Sequence, residues 1–234
     1  YELQLVNGLD PQGFRSEDWI KNGRQGAFEV NNFTSPAFVA RVNYHGVKGL
    51  RVGASFYYNQ TAKNGTKPWR NTGYKFPVTI VTGDLQYKGF NNNLIVRGNA
   101  VYGNLGASGA LTTINNSSSA ASGYPNTTVA QNAVSYGGEA GYNIGSFFHS
   151  KAPRIYPFIR YEYYNPMEKT EANTGLLADK RFQVSAVTAG LNYYALPNLV
   201  IKADYTHRSI GGGKYNDENL VSVGIAYIGW FIKK

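Results

Sequence analysis

Charged side chains occur at alternate positions of several segments in this 234-residue chain, where they interleave with apolar ones. Arg41, for example, lies between Ala40 and Val42. When such charges line a water-filled space, they bias which ions pass through it. The candidates for this role are Arg41, Arg51, Lys88, Arg97, Arg160, Lys202, Asp84, Glu139, Glu162 and Asp204.

Basic residues outnumber acidic ones in this candidate set, so a water-filled space lined by them would favour anions weakly. Where water is excluded instead, the same charges must pair with each other, because an unpaired buried charge is costly. The sequence leaves both outcomes open: a weakly anion-selective path, or a space that its own ion pairs fill.

Hydrolytic catalysis is a second chemistry that these residue types offer. The histidines are His45, His149 and His207. Hydrolytic sites combine a histidine with a serine or a carboxylate, and His207 lies near Asp204 and Ser209 in sequence. By parity, however, His207 shares a side with the apolar Leu199 and Ile201, which argues against catalysis. We therefore predict an interfacial histidine and no enzyme.

Several other kinds of site are excluded by composition. Cysteine is absent, which removes disulfides, thiol catalysis and cysteine-ligated metals. No metal-ligand spacing occurs, so we predict neither a metal nor a cofactor. A net charge of +9 often indicates nucleic-acid binding, but here the basic residues are scattered and form no basic helix. We predict no nucleic-acid partner.

The elements that carry these charges are predicted to be β-strands. In residues 221–231, for instance, Val221, Val223 and Ile225 alternate with smaller side chains, as in a strand with one apolar side. About ten segments show such alternation: residues 1–6, 38–45, 50–58, 81–88, 94–102, 134–144, 154–163, 187–194, 199–208 and 221–231. Pro157 lies inside one of them and should disturb its pairing.

The connections between these segments alternate in length. Short turns follow His45, Lys88, Ile144 and Tyr194, and long polar loops follow Val6, Tyr58, Tyr102, Tyr163 and Arg208. In a meander this places every long loop at one end, as in outer-membrane barrels. Tyrosines recur near both ends, as two aromatic girdles require. They are Tyr58, Tyr102 and Tyr163 near the long loops, and Tyr44, Tyr87, Tyr142 and Tyr193 near the turns.

Together these patterns favour an all-β protein, a transmembrane antiparallel up-and-down β-barrel of about ten strands in one domain spanning residues 1–234. The mean hydropathy of −0.36 does not exclude this, because only alternate residues of a barrel face lipid. The sequence contains no run of 18 apolar residues, so it predicts no transmembrane helix. A soluble β-protein is the alternative fold.

Two loop segments carry more local predictions. Ser16 is a candidate N-cap for a short helix beginning at Glu17. Residues 104–130 have low complexity and no apolar period, which predicts a mobile loop.

Three stretches resemble Bacteroidota outer-membrane porins of the phosphate-selective porin family. They are Leu5-Val6-Asn7-Gly8, Trp19-Ile20-Lys21-Asn22-Gly23-Arg24-Gln25 and Gly49-Leu50-Arg51-Val52-Gly53-Ala54-Ser55-Phe56-Tyr57-Tyr58. The resemblance implies a channel for small solutes with about sixteen strands, so this chain would be the C-terminal part of such a barrel or a smaller relative. The phosphate-binding run of lysines in that family has no equivalent in this sequence, so the resemblance does not imply phosphate specificity.

The leading hypothesis is an outer-membrane channel for passive diffusion of small solutes with a weak anion preference. Its partners would be outer-membrane lipid and small anionic solutes, and both a homo-oligomer and an envelope protein complex stay open. A closed ten-stranded barrel has little room beyond its own side chains, so a non-conducting structural or assembly-partner barrel is the first alternative. A soluble carbohydrate-binding β-protein, suggested by the many Tyr, Trp and Asn residues, is the second.

Overall fold

The computed structural model describes residues 1–25, 33–65, 69–119, 128–148 and 153–227. Ten strands account for most of these residues. They are β1 (Glu2–Val6), β2 (Ala37–Tyr44), β3 (Leu50–Gln60), β4 (Pro77–Gly89), β5 (Leu94–Leu105), β6 (Asn132–Tyr142), β7 (Arg154–Lys169), β8 (Val184–Leu196), β9 (Leu199–Ile210) and β10 (Asp217–Tyr227). His149 and the predicted strand residues after Tyr227 lie outside the described residues.

Each strand pairs antiparallel with the next one in the chain, and all ten form a single sheet in sequence order. The all-β antiparallel meander predicted from the sequence is therefore confirmed. Among the described residues the sheet has two ends, because β1 and β10 do not pair with each other. No helix in the described part of the chain is long and apolar enough to cross a membrane.

Strand register divides the sheet into two faces of opposite character. On one side lie large apolar side chains with much of their surface exposed, including Val81 at 50%, Ile159 at 58% and Val221 at 78%. We call this the apolar face. On the other side lie the charged residues of the candidate set, such as Asp84 and Glu139, and we call it the polar face.

β7 runs through Pro157, which pairs in register with Leu191 of β8, so the disturbance predicted at Pro157 is absent on that side. The pairing between β6 and β7 extends only as far as Phe158 and Gly141. Pro157 therefore lies beyond the end of the β6 ladder, where its missing N–H costs no hydrogen bond.

Because the strands form a meander, the connections after β1, β3, β5, β7 and β9 all lie at one end, which we call the loop end. The alternation in length is not complete: the connection after β9 is residues 211–216, whereas the one after β6 is residues 143–153 at the opposite end. Topology, rather than loop length alone, assigns the connections to their ends.

The hydrophobic core lies at the loop end, where the loops pack against each other and against the strand ends. Its buried members are Phe14, Trp19, Ala62, Trp69, Phe76, Val78, Leu105, Leu111, Val129, Ala130 and Met167. We call this folded assembly the loop cap. Loops predicted to be polar and mobile therefore contain most of the buried apolar side chains.

The prediction of a loop without regular structure is wrong for Ser108–Ser119, which form helix α1. Its buried face is formed by Ser108, Leu111, Thr112 and Asn115, at the i, i+3, i+4 and i+7 spacing of a helix. Only one of these four side chains is large and apolar, so the sequence shows no apolar period. Among the polar members, Asn115 bonds to two other loops, and Thr112 accepts from Val129 in the segment before β6.

The predicted helix at Ser16 is also wrong. Arg15 and Trp19 form an isolated antiparallel bridge, and the Ser16 hydroxyl donates to the carbonyl of Thr128 at 2.6 Å. Ser16 therefore anchors the first loop to the segment before β6 rather than capping a helix. Trp19, with a φ of 55°, donates its indole N–H to the Ala130 carbonyl at 3.0 Å.

Candidate functional site

Three of the candidate residues form one ion-pair cluster on the polar face. Asp84 of β4 lies with Oδ2 2.7 Å from Nη2 of Arg41 on β2, and with Oδ1 3.4 Å from Nη2 of Arg51 on β3. The Arg41 guanidinium also donates to Ser55 Oγ at 2.8 Å and to Asn43 Oδ1 at 3.1 Å. One carboxylate therefore serves two guanidinium groups, which leaves this cluster with an excess positive charge.

A second cluster joins β5, β6 and β7. Glu139 lies with Oε2 2.5 Å from Nη2 of Arg160 and with Oε1 3.6 Å from Nη1 of Arg97. Glu162 extends the cluster, with its Oε2 4.0 Å from Nη1 of Arg160. The cross-strand register Arg97–Glu139–Arg160 explains this contact, because directly opposed residues share a face.

Two adjoining depressions follow these clusters along the polar face. One, of about 460 Å³, is lined by Arg51, Asp84, Arg97 and Glu139, among others. The other, of about 380 Å³, shares Arg97 and Glu139 and is also lined by Lys202 and Asp204. Lys88, by contrast, lies at the end of β4, next to the turn, and lines neither depression. Eight of the ten candidates thus line the two depressions, and Arg41 adjoins them through its ion pair with Asp84.

The arginines of this surface differ in their access to solvent. The side chain of Arg97 is 58% exposed and that of Arg51 is 48% exposed, against 28% for Arg41. Exposed ion pairs are weak and are screened by salt, so Arg97 and Arg51 remain available to mobile anions. Arg41, which makes more hydrogen bonds, is held in place.

The loop cap contains polar residues that sequence reasoning missed. Asn115 of α1 accepts from the Trp69 indole at 2.7 Å and donates to the Phe14 carbonyl at 3.3 Å. Thr112 accepts from the Val129 amide at 3.0 Å. These bonds join three different loops into one unit. The sequence signal that could have found them is the helical spacing of the four buried residues of α1. Three of those residues are polar, so a search for apolar periodicity does not detect it.

A further polar cluster lies on the apolar face at the loop end. His207 and Ser209 on β9 are opposite Asn219 and Asp217 on β10. His207 Nδ1 lies 3.0 Å from Asn219 Oδ1, and its Nε2 lies 3.3 Å from Ser209 Oγ. This register confirms the prediction that His207 lies on the same side of the strand as Leu199 and Ile201. The polar cluster around His207 was not predicted.

Comparison with protein-family models gives no match to this chain, and comparison with curated proteins gives none either. The resemblance to phosphate-selective porins therefore stays a prediction drawn from three short stretches, and function must be argued from the site itself.

Proposed function

We propose that this protein is an outer-membrane channel through which small solutes diffuse passively, with a weak preference for anions. The observation that carries the proposal is the division of one meandering sheet into an apolar face with exposed large side chains and a polar face with arginine-rich clusters. Lipid outside and water inside would satisfy both faces at once.

Exposure of the apolar face supports membrane insertion over a soluble protein. Leu3 and Leu5 on β1 have 67% and 70% of their surface exposed, and Ile225 on β10 has 72%. Monomeric soluble proteins rarely expose large contiguous apolar patches. In a bilayer every backbone group must be paired, so the sheet would be closed into a barrel.

The polar face supports the predicted anion preference. Of the ten candidate residues six are basic and four are acidic, which gives a net charge of +2. Low-dielectric walls focus such a potential and raise the local concentration of anions. Arg97 and Arg51, the more exposed arginines, would set this preference. The proposal places the protein in a bacterial outer membrane, with lipid and small anionic solutes as partners.

A non-conducting structural barrel is the second candidate, and the loop cap is the observation that favours it. Leu111, Phe14 and Trp69 are almost fully buried together at the loop end. A packed cap at that end would narrow or block a path along the polar face. Such a barrel would contribute to the envelope through its contacts with copies of itself or with other proteins.

Planar-bilayer recording separates these two functions. The full chain, folded in detergent and added to a bilayer, should give stepwise conductance increases if the polar face lines a water-filled path. A chain that shows β-sheet circular dichroism in the same lipid without any conductance would contradict the channel and support the structural barrel.

A further inference from the structure

We propose that Ser209, His207 and Asn219 form a serine-hydrolase site that cleaves acyl esters of membrane lipids. All three side chains lie on the apolar face, on the neighbouring strands β9 and β10. Ser209 Oγ lies 3.3 Å from His207 Nε2, and His207 Nδ1 lies 3.0 Å from Asn219 Oδ1. A nucleophile, a base and a group that orients the base are thus arranged in sequence.

Hydrogen bonding around Asn219 identifies which ring nitrogen of the neutral histidine carries the proton. Tyr205 donates its hydroxyl to Asn219 Oδ1 at 2.6 Å, which identifies that atom as the acceptor. His207 must then donate to the same oxygen from Nδ1–H. Its Nε2, which faces Ser209, is left as the proton acceptor that a general base requires.

Asp217 is the competing partner of the nucleophile. The Ser209 hydroxyl donates to Asp217 Oδ1 at 2.8 Å, and that oxygen lies 3.9 Å from His207 Nε2. A rotation of the hydroxyl toward Nε2 would bring its proton to the base. Asp217 then faces the imidazolium that forms, and its negative charge would stabilise it.

The position of the site indicates the class of substrate. Further along β10 from the loop end, and on the same face, lie Val221, Val223 and Ile225, each more than 70% exposed. Because the loop end is the boundary of the apolar face, an acyl chain along this strip would bring an ester to the level of Ser209. This step rests on the proposed function, in which the apolar face meets lipid. The sequence argument against catalysis rested on His207 sharing a side with Leu199 and Ile201, and a substrate that itself lies in lipid removes that objection.

The reaction balances with water as the only co-reactant. Ser209 Oγ attacks the ester carbonyl carbon while its proton passes to His207 Nε2. The carbon–oxygen bond to the lipid alcohol breaks, and His207 returns the proton to that alcohol. Water then attacks the acyl-serine through the same base, which releases a fatty acid and restores Ser209.

The turn after Ser209 supplies candidate donors for the oxyanion. Residues 211–213 are all glycine, and the amide of Gly211 donates to the Gln183 carbonyl at 2.8 Å. The amides of Gly212 and Gly213 make no hydrogen bond within the described part of the chain. Backbone N–H groups are a usual source of oxyanion stabilisation, and these two follow Ser209 by three and four residues in the chain.

A fluorophosphonate probe tests the nucleophile without a known substrate. The detergent-folded chain should be labelled at Ser209, located by mass spectrometry, and should release fatty acid from phosphatidylcholine in mixed micelles. Ser209→Ala and His207→Ala should lower release at least about 1,000-fold. The matched control is Ser185→Ala, since Ser185 pairs with Ser209 from β8 on the same face. It should keep full activity.

Asn219 acts through His207 and is a positioning residue, so its test is rescue. Asn219→Ala should lower fatty-acid release, and Asn219→Asp should restore it, because a carboxylate also accepts from Nδ1–H.

Folded wild-type protein that is not labelled at Ser209, or activity that survives in His207→Ala, would overturn the site. Conductance is a separate readout, because these side chains lie on the face opposite the ion-pair clusters. Lost hydrolysis with intact conductance would count against this inference alone. Absent conductance with intact hydrolysis would count against the channel alone.

Discussion

Arg41 on β2 pairs with Asp84 on β4 across the intervening strand β3, with Nη2 2.7 Å from Oδ2. The residue between them is Gly53, which is opposite both Asn43 and Asp84 in the strand register. A Cβ at position 53 would collide with both Arg41 Nη2 and Asp84 Oδ2. The absence of a side chain on β3 therefore allows the ion pair to form.

Gly53→Ala should break this ion pair and destabilise the protein. Loss of a charge-assisted pair in a partly shielded site predicts a fall in the free energy of unfolding of about 1–3 kcal/mol, measurable by urea titration in detergent. Gly83→Ala is the matched control, because nothing lies within 4 Å of a Cβ there. Equal stability of the two variants would contradict the role of Gly53.

Arginine on the apolar face should oppose folding into lipid. Ile201→Arg and Val96→Arg should each cost about 2–4 kcal/mol if their sites lie near the middle of the membrane. Asn192→Arg, which places the same charge on the polar face beside Asp204, should fold normally. The measurement is the folded fraction in lipid vesicles, and indifference to all three changes would contradict membrane insertion.

The strands and faces of this fold were predictable because alternation is a local property of the sequence. Strand β9 illustrates this: Ile201 and Ala203 fall on one side and Lys202 and Asp204 on the other, whichever strands flank it. Helix α1 was not predictable, since its buried Asn115 is stabilised by two loops distant in sequence. Local pattern cannot show a hydrogen-bonding partner that only the fold supplies.

For the candidate site, the sequence predicted which charges share a face but not which of them pair. The contact between Arg41 and Asp84 depends on two strand registers and on an intervening glycine. The serine–histidine–asparagine arrangement depends in the same way on the β9–β10 register, which places Asn219 opposite His207. Parity gave the direction of the histidine correctly, but its partner is on another strand.

The loop cap should depend on Asn115 of α1. Asn115→Ala removes the acceptor of the buried Trp69 indole and the donor to Phe14, so α1 should become accessible to proteinase K. Ser117→Ala, on an exposed position of the same helix, is the control. Cleavage sites mapped by mass spectrometry should fall within Ser108–Ser119 only in the first variant. Cleavage there in the wild type would show that the helix does not hold the cap together.

The turn at Lys180–Phe182 should lose stability in acid. Arg181 donates to the Asp179 carboxylate at 2.5 Å, which holds the pKa of Asp179 below its usual value. A carboxylate whose pKa is lower in the folded state than in the unfolded state stabilises the fold at a pH above its unfolded-state pKa. This stabilisation is lost as the pH falls through the folded-state pKa. Protection of the turn from hydrogen exchange should fall below about pH 4 in the wild type. Asp179→Asn should abolish this dependence, and an unchanged dependence would contradict the ion pair.

The reversal potential across a salt gradient tests the channel most directly. The chain in a planar bilayer should favour anions, and Arg51→Glu with Arg97→Glu should shift the potential toward cations, because these arginines are the most exposed of the two clusters. The shift should shrink as salt rises, since screening acts over about 10 Å at 0.1 M. Lys88→Glu, outside both depressions, should change little. A double variant that conducts with an unchanged reversal potential would contradict the proposed channel, because the polar face would then not line the conducting path.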